Sequence, residues 1–188
     1  MVMIPMQSPI GDMFVGFVAR SVEGKDFKNT PKLPKSKILF NLHRAKMHST
    51  VYVVESSFDA IRLDQCGFPA VATLGANVSN YQTDLLQKYF NEIYVIADND
   101  EAGGNMKDKL IERLGNRVNV IKLDKQYKDI GDMSDEAIKN IEESFDNISC
   151  ISLILVWFYG DVFKNINKIS IKITDVTPFF NQIFLSPH

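Results

Sequence analysis

The chain has 188 residues, of which 45% are hydrophobic and 23% charged. This balance is typical of one folded domain with an appendage, and it excludes a disordered, collagen-like or coiled-coil chain. The net charge of −2 is unevenly distributed, since residues 1–54 carry eight basic against three acidic residues and residues 55–150 carry ten against eighteen. A basic arm beside an acidic body fits a protein that guides a polyanion, although such charge runs are more often only a solvated surface.

The basic part begins with a predicted pair of strands. Residues 13–20 are rich in Val and Phe, a turn follows at 23–25, and residues 26–30 predict the return strand. Pro31 and Pro34 interrupt regular structure, and residues 38–46 predict a short amphipathic helix.

The middle of the chain alternates short apolar runs with helical stripes. We expect strands at 51–54, 70–74, 93–97 and 118–123, and helices at 57–66, 79–89, 101–114 and 134–146. Strands that are apolar throughout, each followed by a helix, predict an α/β fold with a four-stranded, mainly parallel sheet flanked by helices.

The tail, residues 148–188, holds seven aromatic residues and shows no further alternation of strands and helices, and we assign it no role.

Nowhere does an apolar run reach the ~18 residues of a membrane-spanning helix. No basic residue precedes Arg20, so we expect no signal peptide. Cys66 and Cys150 lie outside any CxxC or Cys/His cluster, which excludes a structural zinc site and suits a cytoplasmic protein.

Acidic residues follow three of the predicted strands where each strand ends. They are Glu55 and Asp59 after the first strand, Asp98 and Asp100 after the third, and Asp129 and Asp132 after the fourth. The carboxyl ends of parallel strands meet at one edge of a sheet, so we expect these side chains to converge. Crowded carboxylates repel one another, and a hard divalent ion relieves that repulsion. Six carboxylates suffice for two Mg²⁺ or Mn²⁺ ions about 3.5–4 Å apart, the spacing used in phosphoryl transfer.

Each acidic pair alone has an ordinary explanation. An Asp-x-Asp after a strand also occurs in hydrolases that form an aspartyl phosphate, and Asp100 or Asp132 could simply cap a following helix. The conjunction of three pairs on three strands is more specific. The histidines, His43, His48 and His188, lie outside the α/β part and offer no Ser/His/Asp triad, and no GxxxxGK[ST] loop is present.

These motifs resemble those of a known family. Residues 53–60 (VVESSFDA) resemble the Glu motif of Toprim domains, residues 72–77 (ATLGAN) their Gly-turn, and residues 96–103 (IADNDEAG) their DxDxxG signature. Residues 128–132 (KDIGD) resemble the acidic third motif of primases. The glycine that usually follows the glutamate of the family is Ser56 here.

The basic part narrows the resemblance to DnaG-like and phage DNA primases. Residues 15–20, 27–30 and 35–42 are similar to the end of the basic subdomain that precedes Toprim in those proteins. The resemblance implies contacts to nucleic acid or triphosphate at Arg20 and Lys35 first, and at Lys37 and Lys28 next. It also implies three segments: residues 1–50 as the end of that subdomain, 51–147 as the Toprim domain, and 148–188 as an unassigned tail. Complete primases of this type are longer, so we expect a truncated member.

The implied activity is that of a DNA primase or its catalytic fragment. It would make RNA primers on single-stranded DNA from ribonucleoside triphosphates, with a replicative helicase as a further partner and no membrane. Asp98 and Asp100 would hold metal, with Glu55 as ligand or general acid/base, and the remaining acids would complete the shell of the second ion, partly through water. Those acids are Asp59, Asp129 and Asp132. A Toprim nuclease and a non-catalytic, nucleic-acid-binding remnant are the alternatives.

Overall fold

The computed structural model describes residues 1–10, 13–23 and 26–141. Met1–Ile141 forms one compact unit. The aromatic-rich segment 148–188 lies outside the described residues, as does the end of the helix expected at 134–146; residues 135–141 of that helix are described and helical.

The first part of the chain is a three-stranded antiparallel sheet. Its strands are β1 (Val2–Gln7), β2 (Phe14–Arg20) and β3 (Phe27–Asn29), in that spatial order. The strand pair expected from the sequence, β2 and β3, is confirmed. β1 is not predicted, because its run contains Pro5, which lacks a backbone N–H; the sheet tolerates it because β1 is an edge strand.

The segment after β3 contains a 3₁₀ helix (Lys35–Lys37) and the four-residue helix α1 (Leu42–Ala45). The prediction of a helix over 38–46 is therefore wrong for its first half. Phe40 forms an antiparallel bridge with Ala72, and Asn41 has a left-handed φ of 63°. The Asn41 side-chain amide also donates to the carbonyl oxygen of Ala70 at 3.0 Å. Contact with the strand that contains Ala70 and Ala72 thus overrides the local helical pattern.

A second sheet of four strands forms the body of the molecule and confirms the expected fold class. The strands are β4 (Thr50–Val54), β5 (Ala70–Ala72), β6 (Glu92–Ile96) and β7 (Val118–Ile121). Their spatial order is β5-β4-β6-β7, and every neighbouring pair is parallel. The helices are α2 (Ser57–Gln65), α3 (Asn80–Tyr89) and α4 (Glu101–Leu114), with 3₁₀ turns at Gly115–Arg117 and Ile130–Asp132.

The ends of the helices follow from local chemistry. The Ser79 hydroxyl accepts a hydrogen bond from the Gln82 N–H, and the Gln82 side chain accepts one from the Ser79 N–H, which is the capping box expected at the start of α3. Gly115 closes α4 with a φ of 55°, a conformation that glycine adopts at little cost.

The two central strands, β4 and β6, share one apolar face that is fully buried, whereas the other face includes the exposed Glu92 and the half-buried Tyr94. The side chains of this apolar face, Val51, Val53, Ile93 and Val95, are fully buried. Burying each of them stabilises the folded state by about 1.5–3 kcal/mol. Because β4 and β6 are neighbours, residues that follow them lie side by side at one edge of the sheet. In the described ranges, every helix is too short or too polar to cross a membrane.

Candidate active site

Glu55 follows β4 directly, and Ser56 begins the next helix. The Ser56 Oγ accepts a hydrogen bond from the Asp59 N–H at 3.2 Å and donates one to Asp59 Oδ2 at 2.6 Å. An N-cap serine satisfies an amide that the first helical turn leaves free. The serine that replaces the usual glycine of the Glu motif therefore caps α2 and also fixes the Asp59 carboxylate.

The turn after β5 brings a backbone amide to Glu55. Leu74 and Gly75 both have positive φ, 63° and 142°, and the Leu74 N–H donates to the Glu55 carbonyl oxygen at 3.0 Å. The Ala76 N–H then donates to the Glu55 carboxylate. A left-handed leucine is strained, and such strain is retained where the surrounding contacts fix the backbone. The Gly-turn thus orients the Glu55 side chain.

Asp98 and Asp100 follow β6, and α4 starts against the Asp98 backbone. Asp100 Oδ1 accepts a hydrogen bond from the Gly103 N–H at 2.9 Å, so Asp100 does cap α4. A Cβ on Gly103 would lie 2.4 Å from the Asp98 carbonyl oxygen and 2.7 Å from its nitrogen. Only glycine fits there, which explains the last position of the DxDxxG signature in physical terms.

The third acidic motif reaches the Glu motif through a glycine. The Gly131 N–H donates to Asp59 Oδ1 at 3.1 Å, and a Cβ on Gly131 would lie 2.9 Å from Asp129 Oδ1. A Cβ at this position would crowd the Asp129 carboxylate, for which glycine leaves room. The Asp132 side chain forms its hydrogen bond within the same loop, where its Oδ2 accepts from the Lys128 N–H at 3.1 Å.

Asp98 lies in the middle of the carboxylate cluster. Burial raises the pKa of Asp98 to about 7, and neighbouring carboxylates contribute to the increase. Those neighbours are, in decreasing order of effect, Asp59, Glu55, Asp129 and Asp100. Near neutral pH, Asp98 is therefore only partly ionised, because burial first and the neighbouring carboxylates next disfavour its charged form.

Burial also raises the pKa of Glu55, and the carboxylates of Asp100 and Asp59 raise it further. The Ala76 N–H and the Lys128 ammonium act in the opposite direction. Lys128 is a residue of the site that sequence reasoning missed. Its only signal in the sequence is a cation placed directly before an acid of the third motif.

Asp59 is almost fully buried, and burial raises its pKa, with a further contribution from Asp129. The hydrogen bonds from Ser56 and Gly131 lower it, as does the positive charge of Arg20. Arg20 belongs to β2, so a cation of the basic arm acts on the acidic cluster of the α/β part.

A pocket of about 270 Å³ lies between the N-terminal sheet and the end of β4. Arg20, Lys35 and Glu55 all line it. The Arg20 guanidinium carbon lies 5.3 Å from the ring centroids of Phe27 and of Phe58, a distance at which cation–π attraction holds the side chain in place. The two cations predicted to contact phosphate first thus face the predicted catalytic glutamate.

The other two predicted cations lie elsewhere. Phe27 and Asn29 line the pocket, so the alternation of side chains along β3 directs Lys28 to the opposite face of the sheet. Lys37 is exposed on the 3₁₀ helix. Two of the four cations are therefore beside the pocket.

Gln82 fixes the basic arm to the α/β part. Its Nε2 donates to the carbonyl oxygens of Lys35 (3.1 Å), Ile38 (2.9 Å) and Thr73 (2.8 Å), and its side chain is fully buried. The sequence predicts Gln82 only as the last residue of a capping box. The Gln82 amide nitrogen has a second role, because its hydrogen bond to the Lys35 carbonyl oxygen helps to fix the position of Lys35.

The cluster offers only oxygen donors, which Mg²⁺ and Mn²⁺ prefer. Across the described residues, no three acidic, histidine or cysteine side chains stand close enough to form a complete metal site. The donor set fits a hard divalent ion nonetheless, because Mg²⁺ usually binds through one or two carboxylates and keeps several waters. The poorly compensated charge around Asp98 is where such an ion would relieve most repulsion.

Residues 52–134 match the family model described as Toprim-like. This stretch, a little under half of the chain, is therefore similar to Toprim-like domains. Its glutamate is Glu55, and its DxDxxG signature runs from Asp98 to Gly103. The match confirms the resemblance drawn from the motifs.

The Toprim-like domain and its flanks are similar to DNA primases. The DNA primase of Mycoplasma genitalium is 33% identical over 141 residues, which are 68% of this chain and 23% of that protein. The chain therefore spans less than a quarter of the length of this relative. The E. coli primase catalytic core has the same fold, with a TM-score of 0.63 at 24% identity over 76% of this chain and 51% of that one. A DnaG primase catalytic domain bound to ssDNA matches with the same TM-score and coverage at 23% identity.

Proposed function

We propose that this chain carries the catalytic core of a DNA primase, a nucleotidyltransferase that joins ribonucleotides on a single-stranded DNA template. The observation that carries the proposal is the juxtaposition of Glu55 and the Asp98–Asp100 pair at neighbouring strand ends, with Arg20 and Lys35 lining the pocket beside Glu55. Two similar proteins support it: the Mycoplasma relative is a DNA primase, and one matching catalytic domain is bound to ssDNA.

The acids would hold two divalent ions. Such ions would stabilise the charge that develops when a 3′-hydroxyl attacks an α-phosphate, while the bond to the pyrophosphate leaving group breaks and a base takes the hydroxyl proton. Asp98 and Asp100 would be the principal ligands, and Glu55 would be a ligand or the general acid/base. Asp59, Asp129 and Asp132 would complete the set of oxygen donors, partly through water.

The raised pKa of Glu55 suits proton transfer, because it makes the carboxylate a stronger base toward a hydroxyl proton. Arg20 and Lys35 would neutralise phosphate charge in the pocket, and Lys28 and Lys37 would extend the path of a nucleic-acid backbone. Such contacts add affinity and carry no sequence information.

The chain would then have the three segments that the resemblance implies. Residues 1–50 would be the end of a basic subdomain and residues 51–147 the Toprim domain, with no role assigned to 148–188. Ribonucleoside triphosphates would be the substrates, and a replicative helicase would be a partner; the resemblance to primases alone supports that partner.

The test is primer synthesis by the full chain on single-stranded DNA with labelled ribonucleotides and Mn²⁺. We expect short RNA products from the wild type and none from Asp98→Asn. Asp84→Asn, which changes an exposed aspartate of α3, is the matched control and should keep wild-type activity. Cleavage of the DNA without nucleotides would identify a Toprim nuclease instead, and DNA binding without either activity would identify a non-catalytic remnant.

A further inference from the structure

Asn99 stands between the two aspartates of the DxDxxG signature, but its hydrogen bonds go to a different loop. Its backbone N–H donates to the Lys128 carbonyl oxygen at 2.9 Å. Its side-chain Nδ2 donates to the carbonyl oxygens of Asp124 at 3.1 Å and of Tyr127 at 2.8 Å. One residue thus directs its donors at a row of carbonyls in the connection that follows β7.

That connection leads directly into the third acidic motif. Lys128, whose carbonyl Asn99 binds, is followed at once by Asp129. Two residues later the Gly131 N–H reaches the Asp59 carboxylate at 3.1 Å. The loop that carries Asp129 is therefore held at both ends, by Asn99 on one side and by Asp59 on the other.

We infer that Asn99 is a positioning residue, which holds the loop of Asp129 beside the Asp98–Asp100 pair through its three hydrogen bonds to the 124–128 connection. In doing so it sets the separation between the two groups of carboxylates. The expected effect of Asn99 on metal binding rests on the proposed function of the site. Its expected effect on the position of the loop does not.

Asparagine is suited to this position by its chemistry. Its amide nitrogen supplies two donors, and the backbone N–H supplies a third, so three carbonyl oxygens can be satisfied from one residue. An aspartate would have the same shape without the side-chain donors, and alanine would lack both the shape and the donors. A residue that merely closed a turn would affect only folding stability, whereas a positioning residue also affects how the second group of carboxylates binds an ion.

The first experiment follows amide hydrogen exchange in the full chain without metal. In Asn99→Ala we expect exchange at the Lys128 and Gly131 amides to accelerate roughly tenfold or more, because two hydrogen bonds that hold the loop are lost. Asn105→Ala, which removes an exposed asparagine from α4, is the matched control and should exchange like the wild type. Asn99→Asp keeps the size of the side chain but replaces its donors by acceptors, so it should accelerate exchange at least as much as Asn99→Ala. Unchanged protection in both Asn99 variants would overturn the inference.

The second experiment titrates Mn²⁺ into the same proteins by calorimetry. We expect two ions to bind the wild type, and in Asn99→Ala we expect the weaker site to lose about tenfold or more in affinity while the tighter one is retained. Identical isotherms for wild type and Asn99→Ala would overturn the inference for metal binding. A wild type that takes up no Mn²⁺ would contradict the proposed function instead, and the exchange experiment would still decide the role of Asn99.

Discussion

The Gly131 N–H and the Asp59 carboxylate are joined by a 3.1 Å hydrogen bond although the two residues are 72 positions apart in the sequence. The other carboxylate oxygen of Asp59 accepts a hydrogen bond from the Ser56 hydroxyl at 2.6 Å. Both oxygens are therefore engaged within the protein. Asp59 connects the Glu motif to the third acidic motif, and an ion would have to share these oxygens with the existing donors.

Replacing Asp98 by asparagine should stabilise the metal-free protein, and the gain should grow with pH. The pKa of Asp98 is raised from 3.8 to about 7, so the folded state favours the protonated form. Its contribution to stability is present below pH 3.8 and is lost as the pH rises through about 7. Asparagine does not ionise and avoids that loss. At pH 8 we expect a melting temperature roughly 2–4 °C above wild type, the shift that ~1 kcal/mol produces in a domain of this size.

Thermal melts at pH 5 and pH 8 in the presence of a chelator would measure this effect. The exposed substitution Asp84→Asn should show no such dependence. A difference between Asp98→Asn and wild type that stays constant across this range would contradict the assignment of a raised pKa to Asp98. With Mn²⁺ present the order should reverse if Asp98 is a ligand of the ion, as proposed, because the variant lacks that carboxylate.

Two adjacent glycines of α4 should respond oppositely to alanine. A Cβ on Gly103 would lie 2.4 Å from a backbone oxygen, which cannot rotate away, so Gly103→Ala should destabilise by about 1–3 kcal/mol. A Cβ on Gly104 would meet nothing within 4 Å, so Gly104→Ala should stabilise by about 0.5–1 kcal/mol through helix propensity alone. Urea unfolding measures both, and equal effects would contradict the close approach of α4 to Asp98.

Gln82→Glu should loosen the basic arm while leaving the capping box intact. The carboxylate can still accept the hydrogen bond from the Ser79 N–H, but it cannot donate to the carbonyls of Lys35, Ile38 and Thr73. The Lys35 carbonyl keeps the Ile38 N–H as a donor at 3.4 Å, whereas the buried carbonyls of Ile38 and Thr73 lose the Gln82 donor. A buried carbonyl without a donor costs about 1–3 kcal/mol, so we expect a loss of at least about 2 kcal/mol. Urea unfolding would show it.

The control for this experiment is Gln87→Glu, which makes the same chemical change on the exposed side of α3. It should leave stability within about 0.5 kcal/mol of wild type. If Gln82→Glu were equally neutral, the amide of Gln82 would not be the group that attaches the arm.

Binding of single-stranded DNA should weaken steeply with salt and should depend on Arg20 and Lys35. Each phosphate contact that is removed should lower the slope of log affinity against log salt by about 0.7, with little change in sequence preference. Arg20→Ala and Lys35→Ala should both show this loss, and Lys139→Ala, a change of an exposed lysine, should not. Filter binding across a salt series is the measurement. Wild-type affinity in the Arg20/Lys35 double variant would mean that the charge of the arm is only a solvated surface.

Added Mg²⁺ should strengthen this DNA binding at constant ionic strength. The pocket places Arg20 and Lys35 beside Glu55. The nearby carboxylates should repel a polyanion until their charge is reduced. The same addition should have no effect on the Asp98→Asn/Asp100→Asn double variant. A Mg²⁺ response that persisted in that variant would place the ion elsewhere.

The parallel sheet and the convergence of the acidic residues at its edge were predictable from the sequence, because both follow from local rules. Fully apolar strands that alternate with helices pair in parallel, and parallel strands bring their carboxyl ends to one edge. Glu55 and Asp98 are neighbours for that reason. The capping box at Ser79 was predictable because it involves two residues three positions apart.

The features that the sequence does not predict depend on contacts between distant segments. The bridge between Phe40 and Ala72 replaces the first turn of an expected helix. The Lys128 ammonium acts on Glu55, which lies 73 positions earlier in the numbering. The amide nitrogen of Gln82 satisfies carbonyls of the basic arm. No periodicity or local spacing encodes such contacts.

The bridge at Phe40 also bears on the solubility of the protein. Its N–H and carbonyl both pair with Ala72, on the outer side of β5, where another chain could otherwise add as a fifth strand. Exposed strand edges are templates for aggregation, and proteins commonly cover them with a loop. Phe40→Pro would remove the N–H of this pair and expose part of the β5 edge. The variant should then self-associate more readily through β5, although the substitution lies outside the carboxylate cluster.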